Sequence, residues 1–523
     1  MTALKERHVP QAVHDAQLNT GCMSGTRESI LSEIREWIKN PAAHQICWLT
    51  GKAGSGKSSI AKTICVGAER DSAILLGGSF FCSRSSRLAA QRDVRCVIPT
   101  LVQLLAQRST VFRNTLFETI DPDVQHKEVA VQIEKLFYTP LLALKGFCEP
   151  ILFVIDALDE CGGETCDGML NDRTSHEIVT SMLEALTSLT RSDTKLLVKF
   201  LITSRPETQI RDTSLSDTNY TKILRLHAVG REAVDGDIHR YITESLNTKL
   251  FRKPKIRERF TEREVQDLVR LCDGLFIVAS TALKHTFGAG FDAAANRFES
   301  LINNSRDNLE ARAAAPLDEV YAVILADAAG PYGSEATGLL ALQQILSSIL
   351  SARVTLSITS LGDLLKLDVR AYLSHLHAVV YVPEDDDEPG LRTVHASFGD
   401  YLFDRASDCI RVDRSLGHEI LAHACLDLMG KCLHFNISKS HSSYDSNSSK
   451  EQDSISLSLM YACLHWSHHI TAPTTSALDL QIGQIVRLKL LFWLELLSII
   501  HKVGLAAGLL RIAASAVSVL LQH

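Results

Sequence analysis

Hydrophobic positions along the chain change period twice, and those changes divide it. Ile30, Leu31, Ile34, Trp37 and Ile38 recur at helical spacing, with Thr26 or Ser24 as the N-cap and Pro41 as the stop. Short apolar runs then alternate with helical segments. Ile46–Thr50, Leu76–Cys82, Ile151–Ile155, Lys199–Thr203 and Lys222–Leu226 read as strands, and Val94, Ile98, Leu101, Leu104 and Leu105 as one buried helix face. Runs that are apolar at every position are buried on both faces, which places them inside a parallel sheet. Strands alternating with helices predict an α/β class fold, a doubly wound parallel sheet whose ligand sits at the strands' carboxyl ends.

After about residue 230 the strands stop. Ile238, Tyr241, Ile242 and Leu246 make one helical face, Val265, Leu268, Val269 and Cys272 another, and Gly274–Ala279 opens a third. From Pro316 the helices carry Val320, Tyr321, Ile324 and Leu325, then Ile345, Ile349 and Leu350, then Leu361, Leu364 and Leu365. Two β-runs follow, 378–382 and 391–395, joined by the acidic turn 383–390; helices followed by a hairpin suggest a winged helix. Residues before Asn19 carry no pattern and read as a disordered lead, and the serine-rich 438–454 reads as a linker between helices. The expected segments are 1–20, 21–229, 230–315, 316–410 and a C-terminal helical region, 411–523.

A length of 523 residues suggests three or four domains. Fifty-four basic residues against 61 acidic ones give a net charge of −7, so no basic field is present to hold nucleic acid or an anionic membrane. The 13 cysteines are odd in number and never spaced C-x-x-C, which fits reduced thiols in a cytoplasmic setting. The first 20 residues lack the apolar core of a signal peptide. Leu488–Ile500 and Val503–Leu521 are apolar enough to weigh as membrane spans, but a central Arg511 costs about 2.5 kcal/mol or more in a bilayer. Packed helices that end a domain, or that meet a partner, are the expectation.

The chemistry is concentrated at strand ends. Gly51-Lys52-Ala53-Gly54-Ser55-Gly56-Lys57-Ser58 fits G-x-x-x-x-G-K-[ST] and lies between an apolar run and Ser59-Ile60-Ala61 of a helix. Backbone N–H groups and the positive end of the helix dipole meet there, so phosphates bind. Gly51, Gly54 and Gly56 permit close approach, Ala53, Ser55 and Ser59 complete the loop, Lys57 reaches the β- and γ-phosphates, and Ser58 ligates Mg²⁺. The run from Ile151 ends in Asp156, Asp159 and Glu160. Asp156 suits Mg²⁺ held through water; Asp159 or Glu160 suits the acid that orients an attacking water. Arg205, closing the run from Lys199, either senses the γ-phosphate or makes a structural salt bridge. The cluster His465-Trp466-Ser467-His468-His469 has no second ligand group at metal-site spacing and reads as helix packing. A phosphotransferase would share the loop, but the acid-rich strand end and the lack of an arginine-rich lid speak against one.

Taken in order, Cys47 to Ser58, Ser79-Phe80-Phe81, Phe153 to Cys161, Lys199 to Pro206, Cys272-Asp273-Gly274-Leu275-Phe276 and Val394-His395-Ala396-Ser397-Phe398 resemble the NACHT-domain proteins of fungi. These are STAND-class signal-transduction NTPases related to NOD-like receptors. The resemblance implies a P-loop NTPase core in 21–229, a small helical domain, a winged helix and a second helical region. It further implies a protein that rests closed with a diphosphate bound, opens and self-oligomerises with ATP or GTP, and hydrolyses slowly with Mg²⁺. The setting implied is innate-immunity-like or heterokaryon-incompatibility-type signalling through a signalling protein the sequence does not name. By the same comparison His395 touches the β-phosphate and latches the closed state. The effector domain and C-terminal repeats common in that family have no counterpart here, which suggests a natural short form or an incomplete gene model. Gly274-Leu275-Phe276 also departs from Gly-x-Pro, removing the proline that would contact the base. The alternative reading is a scaffold that binds nucleotide without hydrolysing it.

Overall fold

The computed structural model describes residues 8–16, 21–84, 86, 88–119, 128–144, 149–161, 172–191, 197–206, 210, 213–288, 290–309, 315–330, 336–383, 390–407, 410–437, 455–470 and 476–518. They form two compact units. One comprises the chain up to Leu283 with Phe291–Leu317; the other comprises Lys284–Gly290 and the chain from Asp318 onward.

The first unit is built on a five-stranded parallel sheet of order β2-β3-β4-β1-β5. Its strands are β1 (Ile46–Thr50), β2 (Leu75–Phe81), β3 (Ile151–Asp156), β4 (Val198–Ser204) and β5 (Thr221–Arg225). The P-loop NTPase α/β fold anticipated from the sequence is therefore present, with helices on both faces. Alternation along the strands explains it. Ile46 and Trp48, Ile151, Phe153 and Ile155, and Phe200 and Ile202 enter one core with the helix Val97–Arg108; Cys47 and Leu49, Leu152 and Val154, and Leu201 enter the opposite core. That second core is covered by α1 (Glu28–Lys39) and α2 (Lys57–Arg70). Phe153, Phe200 and Phe137 form an aromatic cluster in the first, with ring centroids 4.7 to 5.8 Å apart. Such pairs add about 0.5–1.5 kcal/mol each beyond the area they bury.

Lys199 interrupts the apolar series of β4 and is fully buried. Its ammonium donates to the carbonyls of Asn40, Ala43 and His44 at 2.9, 2.8 and 3.1 Å, tying the sheet to the chain that leaves α1. The Asn40 carbonyl also accepts from Ala43 N–H at 3.2 Å and the His44 carbonyl from Trp37 Nε1 at 2.7 Å.

The lead corrects an expectation. Residues 8–16 hold two single turns, Pro10–Ala12 and His14–Ala16, with Val9, Ala12 and His14 buried. Val9 N–H donates to Thr100 Oγ1 at 3.1 Å and His14 N–H to Ser79 Oγ at 3.0 Å, so backbone groups without a periodic pattern are satisfied by side chains of the domain. The cap of α1 differs too. Arg27 occupies that position at φ 58°, while Thr26 Oγ1 turns back to the carbonyl of Met23.

Helices α3 (Arg231–Lys249), α4 (Glu262–Cys272) and α5 (Phe276–Gly288) follow β5. α4 begins with a reciprocal cap between Thr261 and Glu264 and ends at Asp273, φ 45°. The helices expected as a separate domain at 230–315 group with the sheet, apart from the end of α5. The backbone N–H of Arg27 donating to Asp237 Oδ2 at 3.0 Å is one of the bonds that unite them.

The second unit is mainly helical and runs through the boundary expected at 410. Its elements include α6 (Pro316–Ala329), α7 (Ala336–Ser351), α8 (Ala396–Asp404), α9 (Arg414–Cys432) and α10 (Leu457–His465). The β-runs expected at 378–382 and 391–395 shorten to a two-residue antiparallel pair, β6 (Val380–Tyr381) and β7 (Arg392–Thr393). Tyr321 of α6 packs on Phe398 and Tyr401 of α8, with centroids 5.0 and 5.4 Å apart. In the histidine cluster, buried His469 meets Tyr461 Oη at 2.8 Å and His418 at 2.9 Å. No described helix is long and apolar enough to cross a membrane. The linker expected at 438–454 lies outside the described residues.

Candidate functional site

β1 runs into the loop 51–56, and α2 starts at Lys57. Gly54 and Gly56 take φ 74° and 95°, the left-handed region in which a β-carbon is penalised, so glycine alone sits there without strain. Lys57 is buried, and its Nζ donates to the carbonyls of Gly51 and Lys52 at 2.8 and 3.0 Å. Burial holds its pKa below the usual lysine value, against the pull of Asp159 and Asp156. The loop is braced internally as Ser55 Oγ donates to the Lys52 carbonyl at 2.8 Å.

β3 lies two strands away, and β4 lies between. Asp156 ends β3 almost fully buried, accepts from Thr203 Oγ1 of β4 at 2.6 Å, and is hydrogen-bonded to Ser58. Burial raises its pKa, and the two hydroxyls oppose the rise. Thr203 Oγ1 also accepts from Ala157 N–H at 3.0 Å, steadying the left-handed turn at Ala157, φ 53°, that brings the next two acids round.

Those acids are not equivalent. Asp159 accepts from Arg205 N–H at 3.0 Å on one oxygen and from Arg205 Nε at 3.1 Å on the other, so its carboxylate is committed to Arg205. Glu160 receives Arg84 N–H at 3.0 Å on Oε2. Burial, then the adjacent Asp159 charge, push Glu160 up to about 7, near the value that suits a group exchanging protons at neutral pH. Of the two residues the sequence left open, Asp159 is thus held by Arg205 and Glu160 by the backbone of Arg84.

Several residues here were not singled out from the sequence. Arg84, at the carboxyl end of β2, also donates from Nη2 to the Asp159 carbonyl at 2.6 Å. Thr203 was visible only as part of the polar end of an apolar run. Arg27 is buried, donates from Nη2 to the Ser55 carbonyl at 3.0 Å, and lies 4.9 Å from the ring centroid of Phe276, with Nε and Nη1 buried and without hydrogen-bond partners. Phe276 stands where the expected proline is missing. The next residue, Ile277, donates its N–H to the Gly54 carbonyl at 3.2 Å, bonding α5 directly to the phosphate loop.

His395 belongs to the second unit. It does not end a hairpin strand as expected but caps α8, where Nδ1 accepts from Ser397 N–H at 3.2 Å and meets Ser397 Oγ at 2.6 Å. Ser397 Oγ in turn meets Tyr321 Oη at 2.9 Å.

The site residues fit a nucleotide with a divalent cation. Three features carry the fit: the positive-φ cradle, a buried carboxylate joined to the loop serine, and the partnerless nitrogens of Arg27. A family model described as nephrocystin 3, N-terminal, matches residues 25–205. No curated protein matches the chain by sequence. Among solved structures, a signal-transduction ATPase with numerous domains (STAND) with a tetratricopeptide repeat sensor, from Pyrococcus horikoshii, is 11% identical at a TM-score of 0.39, covering 97% of this chain and 59% of its own. Cdc6p from Pyrobaculum aerophilum is 10% identical at 0.30, covering 79% of this chain and 98% of its own. A chain of the Drosophila ORC bound to DNA is 12% identical at 0.30, covering 71% and 91%. The sheet order, the phosphate loop and the acid-ended β3 make the first unit a P-loop NTPase domain.

Proposed function

We propose that this chain is a nucleotide-operated switch of the NACHT/STAND kind, binding ATP or GTP with Mg²⁺ at 51–58 and hydrolysing it slowly. One observation favours a switch over a simple hydrolase: the Ile277–Gly54 bond, through which the phosphate loop and the helices after the sheet share a hydrogen bond. Lys57 would exchange its two loop carbonyls for phosphate oxygens, and Arg205, aimed by Asp159, would meet the terminal phosphate. Ser58 and Asp156 would hold the cation, which supplies charge neutralisation for the phosphates. Glu160 would take the proton of the attacking water. His395 would act as the latch of the resting, diphosphate-bound state, and its release would permit self-association. Signalling of an incompatibility or innate-immunity type in the cytoplasm of a fungus is the setting this reading carries.

Nucleotide affinity measured in the wild type and in Lys57→Ala tests it: a loss in the variant is expected, and equal affinity overturns the reading. The alternative is a scaffold that binds nucleotide without turnover. Turnover that is undetectable and unchanged in Glu160→Gln selects it.

A further inference from the structure

Away from the phosphate site, the lead brings a histidine and a carboxylate to the flank of α2. The His14 imidazole is fully buried, and its Nδ1 meets Ser79 Oγ at 3.0 Å. Its other nitrogen, Nε2, faces Asp15 Oδ1 and Glu69 Oε2, each at 3.2 Å, and is aligned for a hydrogen bond with neither. All three atoms lie within 4.8 Å of one another. The second oxygen of Glu69 accepts from Arg108 Nη2 at 2.7 Å.

What separates this group from an ordinary surface ion pair is the buried Nε2 left without a hydrogen bond. Ligands about 2.0 Å from a tetrahedral zinc ion stand about 3.3 Å apart, so both nitrogen–oxygen separations admit one. The outer contacts are also those of a metal site: Ser79 Oγ can accept from Nδ1–H, leaving the Nε2 lone pair for a cation, and the Arg108 bond orients the Glu69 carboxylate. One imidazole nitrogen with two carboxylate oxygens is a zinc-type donor set, and exposed Asp15 leaves room for water in the fourth position.

We propose that His14, Asp15 and Glu69 form a zinc-binding site, which fastens the lead to α2, the helix whose first turn carries Lys57 and Ser58. The site is separate from the Mg²⁺ position at Ser58 and Asp156 and does not depend on nucleotide.

The full chain, stripped with a chelator and equilibrated with zinc, is assayed for bound metal by mass spectrometry and for its unfolding temperature. Glu69→Gln and Asp15→Asn alter partly exposed side chains and so retain the fold, which circular dichroism checks; His14→Ala completes the set. Expected are one equivalent of zinc lost in Glu69→Gln and His14→Ala, affinity at least about tenfold weaker in Asp15→Asn, and a zinc-induced rise in unfolding temperature in the wild type alone. Equal zinc content in the wild type and a folded Glu69→Gln, or a wild type that takes up none, overturns the proposal and leaves an ion pair only.

Discussion

Replacing Gly54 with alanine tests the join between the phosphate loop and α5. A β-carbon built on Gly54 falls 2.0 Å from Ile277 Cγ2 and 2.6 Å from Ile277 Cβ, and the residue sits at φ 74°. The left-handed conformation costs a non-glycine residue about 1–2 kcal/mol, and overpacking adds about 1–3 kcal/mol, so the variant stands to lose roughly 2–5 kcal/mol locally. Amide exchange reports the local opening directly. At about tenfold per 1.4 kcal/mol, peptides covering 51–60 and 274–283 should exchange at least about thirtyfold faster, while peptides from the second unit stay unchanged. Adding Ile277→Ala removes the nearest atom and should return part of the loss, a coupling of about 1 kcal/mol or more. Exchange within about threefold of wild type in both peptides, or strictly additive variants, would refute the reasoning.

With Glu160 raised to about 7, any turnover should climb with pH as its carboxylate loses the proton, while Glu160→Gln stays flat; a wild-type rate that falls across that range contradicts the assignment. Lys199→Met takes the ammonium from the Ala43 carbonyl, while the Asn40 carbonyl keeps Ala43 N–H at 3.2 Å and the His44 carbonyl keeps Trp37 Nε1 at 2.7 Å. A loss of about 1–3 kcal/mol is expected, read as faster amide exchange of peptides covering β4, and a change under about 0.5 kcal/mol counts against it. His395→Ala removes a helix cap worth about 1 kcal/mol and, on the latch reading, raises self-association; identical sedimentation with and without triphosphate would argue for the cap alone. The thiols of Cys47, Cys65 and Cys82, pushed up by burial, should resist alkylation until the chain is denatured.

The phosphate loop and the acid-ended β3 were legible because each is a local pattern, a glycine spacing or an apolar run with a polar end. Strand order was not: all-apolar runs announce central strands but carry no label for which neighbour they take, and β4 entering between β1 and β3 is a non-local choice. Asp159 and Glu160 are adjacent and chemically alike, so only the position of Arg205 separates them. Arg27 and Lys199 were passed over for a shared reason. Each is a cation whose worth lies in carbonyls far along the chain, and periodicity is blind to those. His395 was placed one element too early because Val394 continues the β-pattern that the cap then ends.

The interposed strand has a consequence for how the site can fail. Thr203 of β4 grips Asp156 on one side, and Ser204, its neighbour, accepts from Trp48 Nε1 of β1 at 2.8 Å on the other. A slip of one residue would exchange the two faces of β4 throughout, carrying Thr203 away from the acid and Lys199 away from the carbonyls it serves. Cation grip, anion sensing and the anchor beneath α1 would be lost together. A slip of β4 should therefore be all-or-none in phenotype, whereas single substitutions in the loop, in β3 or in β4 itself can be graded.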